Sequence, residues 1–435
     1  MIISVISFIA LFYFSYRFKI KPFLTLLIAS FLSGIFLKID ILDTLYLIYK
    51  GFFSIVLIIG PIIIIGTVLG KFLNETGTSK KMVNTFISYF GIDNIPLSLN
   101  LIGLIISIPV FCDAAFILMS SIVKDLSRIT KKNIILLSVC LATGLYSAHV
   151  FIPPTPGPIA ASAIINADIG LLFLTGIVVG IIVSISGFIW MKFLFKKEFK
   201  IKPVEIKSHD FTSDRSIVSF LPVIVPILLI SASTIIKYPK LDINQLPFLK
   251  IFEIIGKPEI ALLIGFLMTL IFLKKDEIQS TPQWIIKSLK NSFGILLITG
   301  AGGALGYIIR ESEIIDNLNL NIATGLASIF SVFILATIIK TIQGSSTVAI
   351  VTTCAITAPI LQSIGMTSEL EKVILIISIG SGAMTISHVN DSYFWVVTKY
   401  SNIEMNDVLK YFSSATLIQG LTGLVLSIFI FIFLN

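Results

Sequence analysis

Charged side chains are scarce in this sequence: Asp, Glu, Lys and Arg together make up 13% of its 435 residues, whereas apolar residues make up 56%. The mean hydropathy is +1.00. Soluble domains carry about a quarter of their residues as charged side chains, so this composition excludes a soluble globular protein. No part of the chain is polar enough to form a soluble catalytic domain. The sequence predicts a protein embedded in a membrane, with lipid as its surroundings.

Cysteine and histidine are also rare, with three of each in the chain. Cys112, Cys140 and Cys354 lie in apolar segments, are odd in number and lack the spacing of metal ligands. We interpret them as small buried apolar side chains. We therefore expect neither a metal nor another cofactor.

The basic residues give a net charge of +8, but they flank the apolar segments, so membrane orientation explains them better than nucleic-acid binding. Lys and Arg are most numerous in the loop 17–21 and in alternate loops after it. Placing these loops in the cytoplasm puts both termini outside the cell membrane. The first apolar run, 2–16, is interpreted as a retained span because no small-residue cleavage site follows it.

Roughly a dozen apolar segments, with 52–70 and 291–309 among them, are separated by short charged loops. A spanning helix needs about 20 mostly apolar residues. Three segments are too long to be simple spans, and two of them predict hairpins. Segment 96–123 is interrupted at Pro109–Asp113 and has basic flanks, so it predicts a re-entrant hairpin with both ends cytoplasmic. Segment 322–362 is interrupted at Lys340–Ser346 and predicts a hairpin that enters from outside.

Two further segments contain a break within one apolar run. Segment 133–166 contains His149 followed by four prolines up to Pro158, and proline ends a helix because it lacks an N–H donor. Segment 372–400 contains a polar stretch at His388. Broken backbone at membrane depth is tolerated only where protein or a water-filled cavity covers it, so each break is a candidate binding site.

The two halves show a weak internal similarity. Gly144–Val150 resembles Gly382–Val389, and each motif follows its predicted hairpin. We predict an all-α polytopic membrane protein made of two inverted repeats, 1–195 and 217–435, joined by a cytoplasmic linker at 196–216. Each repeat holds a re-entrant hairpin and a broken helix, which is a plan typical of transporters.

The hairpins carry two isolated charges. Asp113 is expensive in apolar surroundings unless it is paired, hydrated or protonated, so it either couples transport to protons or cations or caps the second helix of its hairpin. Lys340 either neutralises an anionic substrate or extends to the membrane interface. The Gly344–Thr347 turn after it exposes N–H groups and hydroxyls at a helix start, which favours an anion, although Gly-Ser runs are also common in packed membrane helices.

The breaks carry two of the three histidines. His149 and His388 titrate near neutral pH and could move protons, or each could orient a broken loop. The stretch His388–Ser392 adds the side chains of Asn390 and Asp391, which either bind a polyhydroxylated molecule or form a polar turn at the end of a helix.

These motifs resemble the gluconate permease family of proton symporters. The resemblance rests on His149–Pro158 and its continuation to Asp168, on Gln343–Ala349 and on His388–Ser392, and Pro109–Asp113 fits the first hairpin of that family. The chain departs from the family in one place, because Lys340 stands where arginine is usual. Arginine holds a carboxylate through two parallel hydrogen bonds, whereas lysine offers a point charge.

The resemblance implies uptake of gluconate or a related sugar acid, driven by protons, on a fold similar to the ion transporter superfamily. It also implies a homodimer in which a domain with both hairpins and both broken helices moves against a scaffold. The substrate-binding residues it suggests are Lys340, Gln343, Gly344, Ser345, Ser346, Thr347, His149, Pro154, Thr155, His388, Asn390 and Asp391.

The leading hypothesis is thus a proton-coupled symporter for a small hydroxy carboxylate, with Asp113 or His149 carrying the proton. A cation/proton antiporter is the alternative, but it needs no anion-binding cation such as Lys340. A membrane hydrolase using His149, His388 and Asp391 with a metal is disfavoured, since their spacing matches no known metal pattern. We expect a transporter and not an enzyme.

Overall fold

The computed structural model describes residues 22–90, 94–196, 216–236, 249–311, 324–389 and 391–434. These residues form α-helices joined by short turns and 3-10 segments, and no β-strand occurs among them. The predicted first span 2–16, nearly all of the predicted linker 196–216 and the side chain of Asn390 lie outside the described residues.

The described part of the first half contains eight α-helices and that of the second half contains nine. In the first half they are α1 (Pro22–Phe36), α2 (Ile41–Glu75), α3 (Thr78–Phe90), α4 (Ile95–Ser107), α5 (Cys112–Thr130), α6 (Ile134–Phe151), α7 (Pro156–Ile165) and α8 (Ile169–Leu194). In the second half they are α9 (Leu221–Ile236), α10 (Leu249–Ile255), α11 (Pro258–Thr269), α12 (Thr281–Glu311), α13 (Leu326–Gln343), α14 (Ser346–Thr357), α15 (Glu369–Met384), α16 (Ser392–Ser401) and α17 (Met405–Leu434).

Both predicted hairpins are present. In the first, α4 ends at Ser107 and α5 begins at Cys112, so Pro109 lies in the turn, where its missing N–H breaks no helical bond. In the second, Gly344 follows α13 with a φ of +73°, a left-handed conformation that glycine adopts without strain. Ser345 then caps α14, because its hydroxyl accepts from the N–H of Val348 at 3.4 Å.

Both predicted breaks are also present. Between α6 and α7 the chain is non-helical from Ile152 to Thr155, and Pro156 starts α7 at the position where proline is best tolerated. Between α15 and α16 the described residues Thr385–Val389 and Asp391 are non-helical. The fold therefore brings loop backbone into the interior at two places, one in each half.

The two halves repeat the same helix contacts. The first hairpin arm packs on the broken helix of its own half, α4 on α6 and α13 on α15. Both contacts need a glycine: a Cβ at Gly144 would lie 1.9 Å from the Asn100 carbonyl oxygen, and one at Gly382 would lie 2.2 Å from that of Phe333. The similarity between the Gly144 and Gly382 motifs thus reflects equivalent packing positions.

Contacts between the halves are equally matched. The second hairpin arm of each half packs on the short helix after the break of the other half, so α5 contacts α16 and α14 contacts α7. These contacts between the halves bring the two hairpin turns and the two breaks together. Around this core, α1, α2 and α12 pack on one another, and α11 packs on α2 and α9.

Six helical stretches among the described residues are long and apolar enough to cross a membrane. They are Ile41–Ile58, Ile134–Ile165, Ile169–Leu194, Lys275–Ile308, Leu326–Gln343 and Met405–Phe433. On α17, the exposed side chains of Val425, Phe429 and Ile432 form a face that lipid can cover. The predicted class, an all-α polytopic membrane protein with a hairpin and a broken helix in each half, is confirmed.

Two helices are longer than the apolar segments that predicted them. Segment 52–70 lies within α2, which starts at Ile41, and segment 291–309 lies within α12, which starts at Thr281. These helices pack along each other, and the Lys50 ammonium of α2 lies 5.3 Å from the centroid of the Tyr307 ring of α12. Hydropathy alone ends the predicted apolar segment near this lysine, but contact with an aromatic face allows the lysine to lie within the helix.

Candidate functional site

Lys340 and Asp391 form an ion pair inside the protein. Lys340 lies in the last turn of α13, and Asp391 lies directly before α16. The Lys340 Nζ and Asp391 Oδ2 atoms are 2.5 Å apart, and the two residues are 1% and 3% exposed. Two charges in such surroundings are tolerated when each compensates the other. The sequence identified both residues but not their pairing.

Asp391 is held by more than this pair. Its Oδ1 atom accepts from the backbone N–H of Tyr393 at 3.1 Å, which caps α16. Its Oδ2 atom accepts from the Ser387 hydroxyl. The backbone N–H of Ser387 in turn donates to the Thr416 hydroxyl of α17 at 2.9 Å. Asp391 thus lies at the start of α16, and His388 lies in the non-helical stretch before it.

Lys340 has few other partners. Asp391 is the ion-pair partner of its Nζ atom, which has no further hydrogen-bond acceptor among the described residues. A lysine ammonium carries three donors. The ammonium lies 5.9 Å from the centroid of the Tyr146 ring, whose face attracts a cation. Lys340 therefore presents a desolvated positive charge with donors to spare.

Two tyrosines that the sequence analysis did not select line this site. The Tyr146 ring lies 5.3 Å from the Tyr393 ring and is stacked, at 6.5 Å, on His149. Tyr146 falls inside the Gly144–Val150 motif, and Tyr393 follows the His388–Ser392 motif. Their position in the sequence, within or next to motifs that carry ionisable residues, was the signal that could have identified them.

Asp113 lies near the pair, in the first turn of α5. The Asp113 carboxylate interacts electrostatically with both Asp391 and Lys340. Its buried Oδ1 atom has no hydrogen-bond partner among the described residues. The helix cap is Phe111 and makes no side-chain bond, so Asp113 is not the cap of this helix. A buried carboxylate oxygen without a partner suits a group that takes up a proton.

The two predicted histidines reach the same region, His149 from the last turn of α6 and His388 from the second break. His149 is 8% exposed, and its Nδ1 atom has no partner among the described residues. His388 is half-buried and hydrogen-bonds the backbone of Thr341, next to Lys340. Both imidazoles interact electrostatically with Lys340 and Asp391.

The turn of the second hairpin adds amide and hydroxyl groups. The Gln343 Nε2 atom is buried and has no partner among the described residues. Ser346 is buried, whereas Ser345 and Thr347 are half-buried. Since these residues surround the first turn of α14, their N–H groups add a favourable field for an anion.

Pro154 and Thr155 line a different pocket. They border a small cavity together with Gly66 and Thr67 of α2 and Pro109 of the first hairpin turn. The Thr155 hydroxyl donates to the Ile152 carbonyl oxygen at 2.6 Å. This hydroxyl serves the local turn, and the cavity connects the first break with the outer helices.

The cluster of Lys340, Asp391, Asp113, His149, His388 and Tyr146 is called the central site below. It combines one cation, two carboxylates and two imidazoles with nearby hydroxyls, enclosed by two hairpin turns and two helix breaks. In the described part of the chain no group of three His, Cys, Asp or Glu side chains could hold a metal ion. The fold and this site define a membrane transport protein.

Comparison with protein families identifies the family within this class. The model of the GntP family permeases matches residues 1–433, and the chain belongs to this family. The predicted family resemblance is confirmed.

Curated relatives span nearly the whole chain. An uncharacterized permease of Haemophilus influenzae is 31% identical and aligns over 91% of this chain and 84% of the relative. The D-serine transporter DsdX of Escherichia coli is 30% identical over 94% and 93%. A gluconate permease of Pseudomonas aeruginosa is 28% identical over 94% and 92%. These relatives are permeases and transporters, so the expectation of a transporter and not an enzyme is confirmed.

Solved structures support the fold. MtrF of Neisseria gonorrhoeae aligns with a TM-score of 0.58 at 11% identity, over 91% of this chain and 85% of that chain. The YdaH transporter of Alcanivorax borkumensis aligns with a TM-score of 0.58 at 12% identity, over 89% of both chains. The chain is a multi-pass membrane permease.

Proposed function

We propose that this permease takes up gluconate or a related sugar acid or small hydroxy carboxylate together with protons. The observation that carries the proposal is the buried Lys340 ammonium, which has donors to spare beside hydroxyl and amide groups. Such a charge is stabilised by a carboxylate, and the groups around it suit the hydroxyls of a sugar acid. The names of the gluconate permease and the D-serine transporter agree, since both substrates pair a carboxylate with at least one hydroxyl.

Charge balance supports proton coupling. With both histidines neutral, Lys340 faces Asp391 and Asp113, and a substrate carboxylate would add a third negative charge to a buried site. Like charges at short range disfavour the ionised forms, so a proton bound with the substrate offsets the extra charge. Asp113 is the proposed carrier of that proton, because its Oδ1 atom has no partner among the described residues. His149 is the second candidate.

Further expectations belong to this proposal. The two halves, 1–195 and 217–435, are inverted in the membrane, both termini face outward, and the protein lies in the cell membrane as a homodimer. The matched contacts of α5 with α16 and of α14 with α7 support a two-fold relation between the halves. The core with both hairpins and both breaks would move against the helices around α2 and α12.

The test is transport by the purified protein in liposomes. Labelled gluconate should accumulate under an inward proton gradient, and a protonophore should abolish the accumulation. Unlabelled aldonates, glycerate and D-serine, added in excess, rank the substrates by competition. Sodium-driven proton release without gluconate uptake would instead identify a cation/proton antiporter.

A further inference from the structure

The ion pair of the central site is asymmetric. Asp391 keeps two hydrogen bonds that do not involve Lys340, from the Tyr393 N–H and from the Ser387 hydroxyl. It also lies at the start of α16, where the helix dipole favours a negative charge. Lys340, in contrast, has no acceptor other than Asp391 among the described residues, and its other charged neighbour, Asp113, is not within ion-pair distance. Without Lys340, the Asp391 carboxylate would keep two hydrogen-bond donors, whereas without Asp391 the Lys340 ammonium would have no ion-pair partner among the described residues.

This asymmetry has a consequence for a carrier that binds a carboxylate. While the substrate is bound, its carboxylate can pair with the Lys340 ammonium. Asp391 then keeps its hydrogen bonds from the Tyr393 N–H and the Ser387 hydroxyl. When the site is empty, Asp391 is the anion that neutralises Lys340. A buried, uncompensated ammonium is strongly unfavourable, so an empty carrier without Asp391 would hold its site open to water and would not return across the membrane.

We propose that Asp391 is a tethered substitute for the substrate carboxylate, which competes with the substrate for Lys340 and permits the empty carrier to reorient. The inference rests on the proposed function, because it assumes a carboxylate substrate at Lys340. It assigns Asp391 a role other than direct substrate binding. It also separates Asp391 from Asp113, whose role is to carry a proton.

Other ionisable groups face the pair from each helix packed against it. They are Asp113 and Cys112 on α5, Tyr146 and His149 on α6, His388 in the second break and Tyr393 on α16. Among the described residues, Asp391 lies within ion-pair distance of Lys340, and none of these other groups does.

The decisive experiment compares two transport modes of the Asp391→Asn variant in liposomes with labelled gluconate. Exchange of internal for external substrate needs only the loaded carrier, whereas net uptake also needs the empty carrier to return. We expect exchange at no less than about half the wild-type rate and net uptake reduced at least about tenfold, since the unpaired lysine blocks the return step. The apparent substrate affinity in exchange should rise by about tenfold, because the internal competitor is gone.

Two variants control for a general defect. Asp391→Glu keeps the charge and should restore part of net uptake. Asp113→Asn should lose proton-driven accumulation without the gain in substrate affinity. If Asp391→Asn loses exchange and net uptake in equal proportion while it remains monodisperse, or if net uptake is unchanged, the inference is wrong. Absence of gluconate exchange by the wild-type protein would instead contradict the proposed function.

A second measurement needs no substrate. Thermal unfolding in detergent should show that Asp391→Asn destabilises the protein more than Lys340→Met does. The first variant leaves the buried ammonium without its ion-pair partner, whereas the carboxylate left by the second keeps its hydrogen bonds from Tyr393 and Ser387. The double variant Lys340→Met/Asp391→Asn should recover most of the loss. Equal unfolding temperatures for the two single variants would overturn the asymmetry on which the inference depends.

Discussion

Tyr146 and Tyr393 each donate a hydrogen bond from the hydroxyl to the backbone of the broken helix in the other half. The Tyr146 hydroxyl of the first half donates to the Ala383 carbonyl oxygen of α15 at 3.4 Å, and the Tyr393 hydroxyl of the second half donates to that of Ala142 in α6 at 3.2 Å. Their rings are 5.3 Å apart, next to Lys340. The central site is thus closed by a reciprocal pair of contacts across the two halves.

Removing one of these hydroxyls should loosen the contact between the halves. Tyr393→Phe leaves the Ala142 carbonyl without that donor and should lower the free energy of unfolding by about 1 kcal/mol, the usual contribution of one internal hydrogen bond. Thermal unfolding in detergent measures the change. Tyr400→Phe is the control, because the Tyr400 side chain is 41% exposed. Equal effects of the two substitutions would contradict the structural role of Tyr393.

The charge of Lys340 should decide substrate binding. Lys340→Met removes the cation and should weaken binding of a carboxylate substrate by about 2 kcal/mol or more, a factor of about 30, as for truncation of a buried charged contact. Competition in the liposome assay measures the affinity. Lys340→Arg should retain binding, since arginine also meets a carboxylate. Lys399→Met, at an exposed position on α16, is the control and should bind normally.

Asp113 should be required for accumulation rather than for binding. In Asp113→Asn the group that takes up the proton is lost, so uphill accumulation should stop, while exchange continues in part. The measurement is the ratio of internal to external gluconate under an inward proton gradient. Asp125→Asn on the same helix is the control, because its side chain is 67% exposed. Normal accumulation by Asp113→Asn would remove this residue from the coupling mechanism.

The glycines of the two similar motifs should tolerate no side chain. At Gly144 an added Cβ would lie 1.9 Å from the Asn100 carbonyl oxygen, so α4 and α6 would have to separate. Gly144→Ala should cost about 1 to 3 kcal/mol, the range for overpacking in a close-packed interior. Gly294→Ala in α12 is a matched control, because its Cβ would meet nothing within 4 Å. Unfolding temperatures of the two variants should differ accordingly, and equal values would contradict the close approach.

Much of the architecture was predictable from local chemistry. Prolines at 109 and 153–158 and the glycine at 344 mark turns, because these residues either lack an N–H donor or adopt a left-handed conformation. The four interrupted segments therefore became two hairpins and two broken helices. The lengths of α2 and α12 were not predictable from hydropathy, since their packing against each other keeps Lys50 inside a continuous helix.

The sequence by itself determined the class of this protein and the places where its helices break, because both follow from apolar segment length and from residues that cannot continue a helix. It also supplied the unusual charges, Lys340, Asp391 and Asp113. Only the tertiary structure decided that Lys340 pairs with Asp391 and that Tyr146 of the other half joins them. These contacts join segments far apart in the chain, and they depend on how the helices pack, which no local pattern specifies.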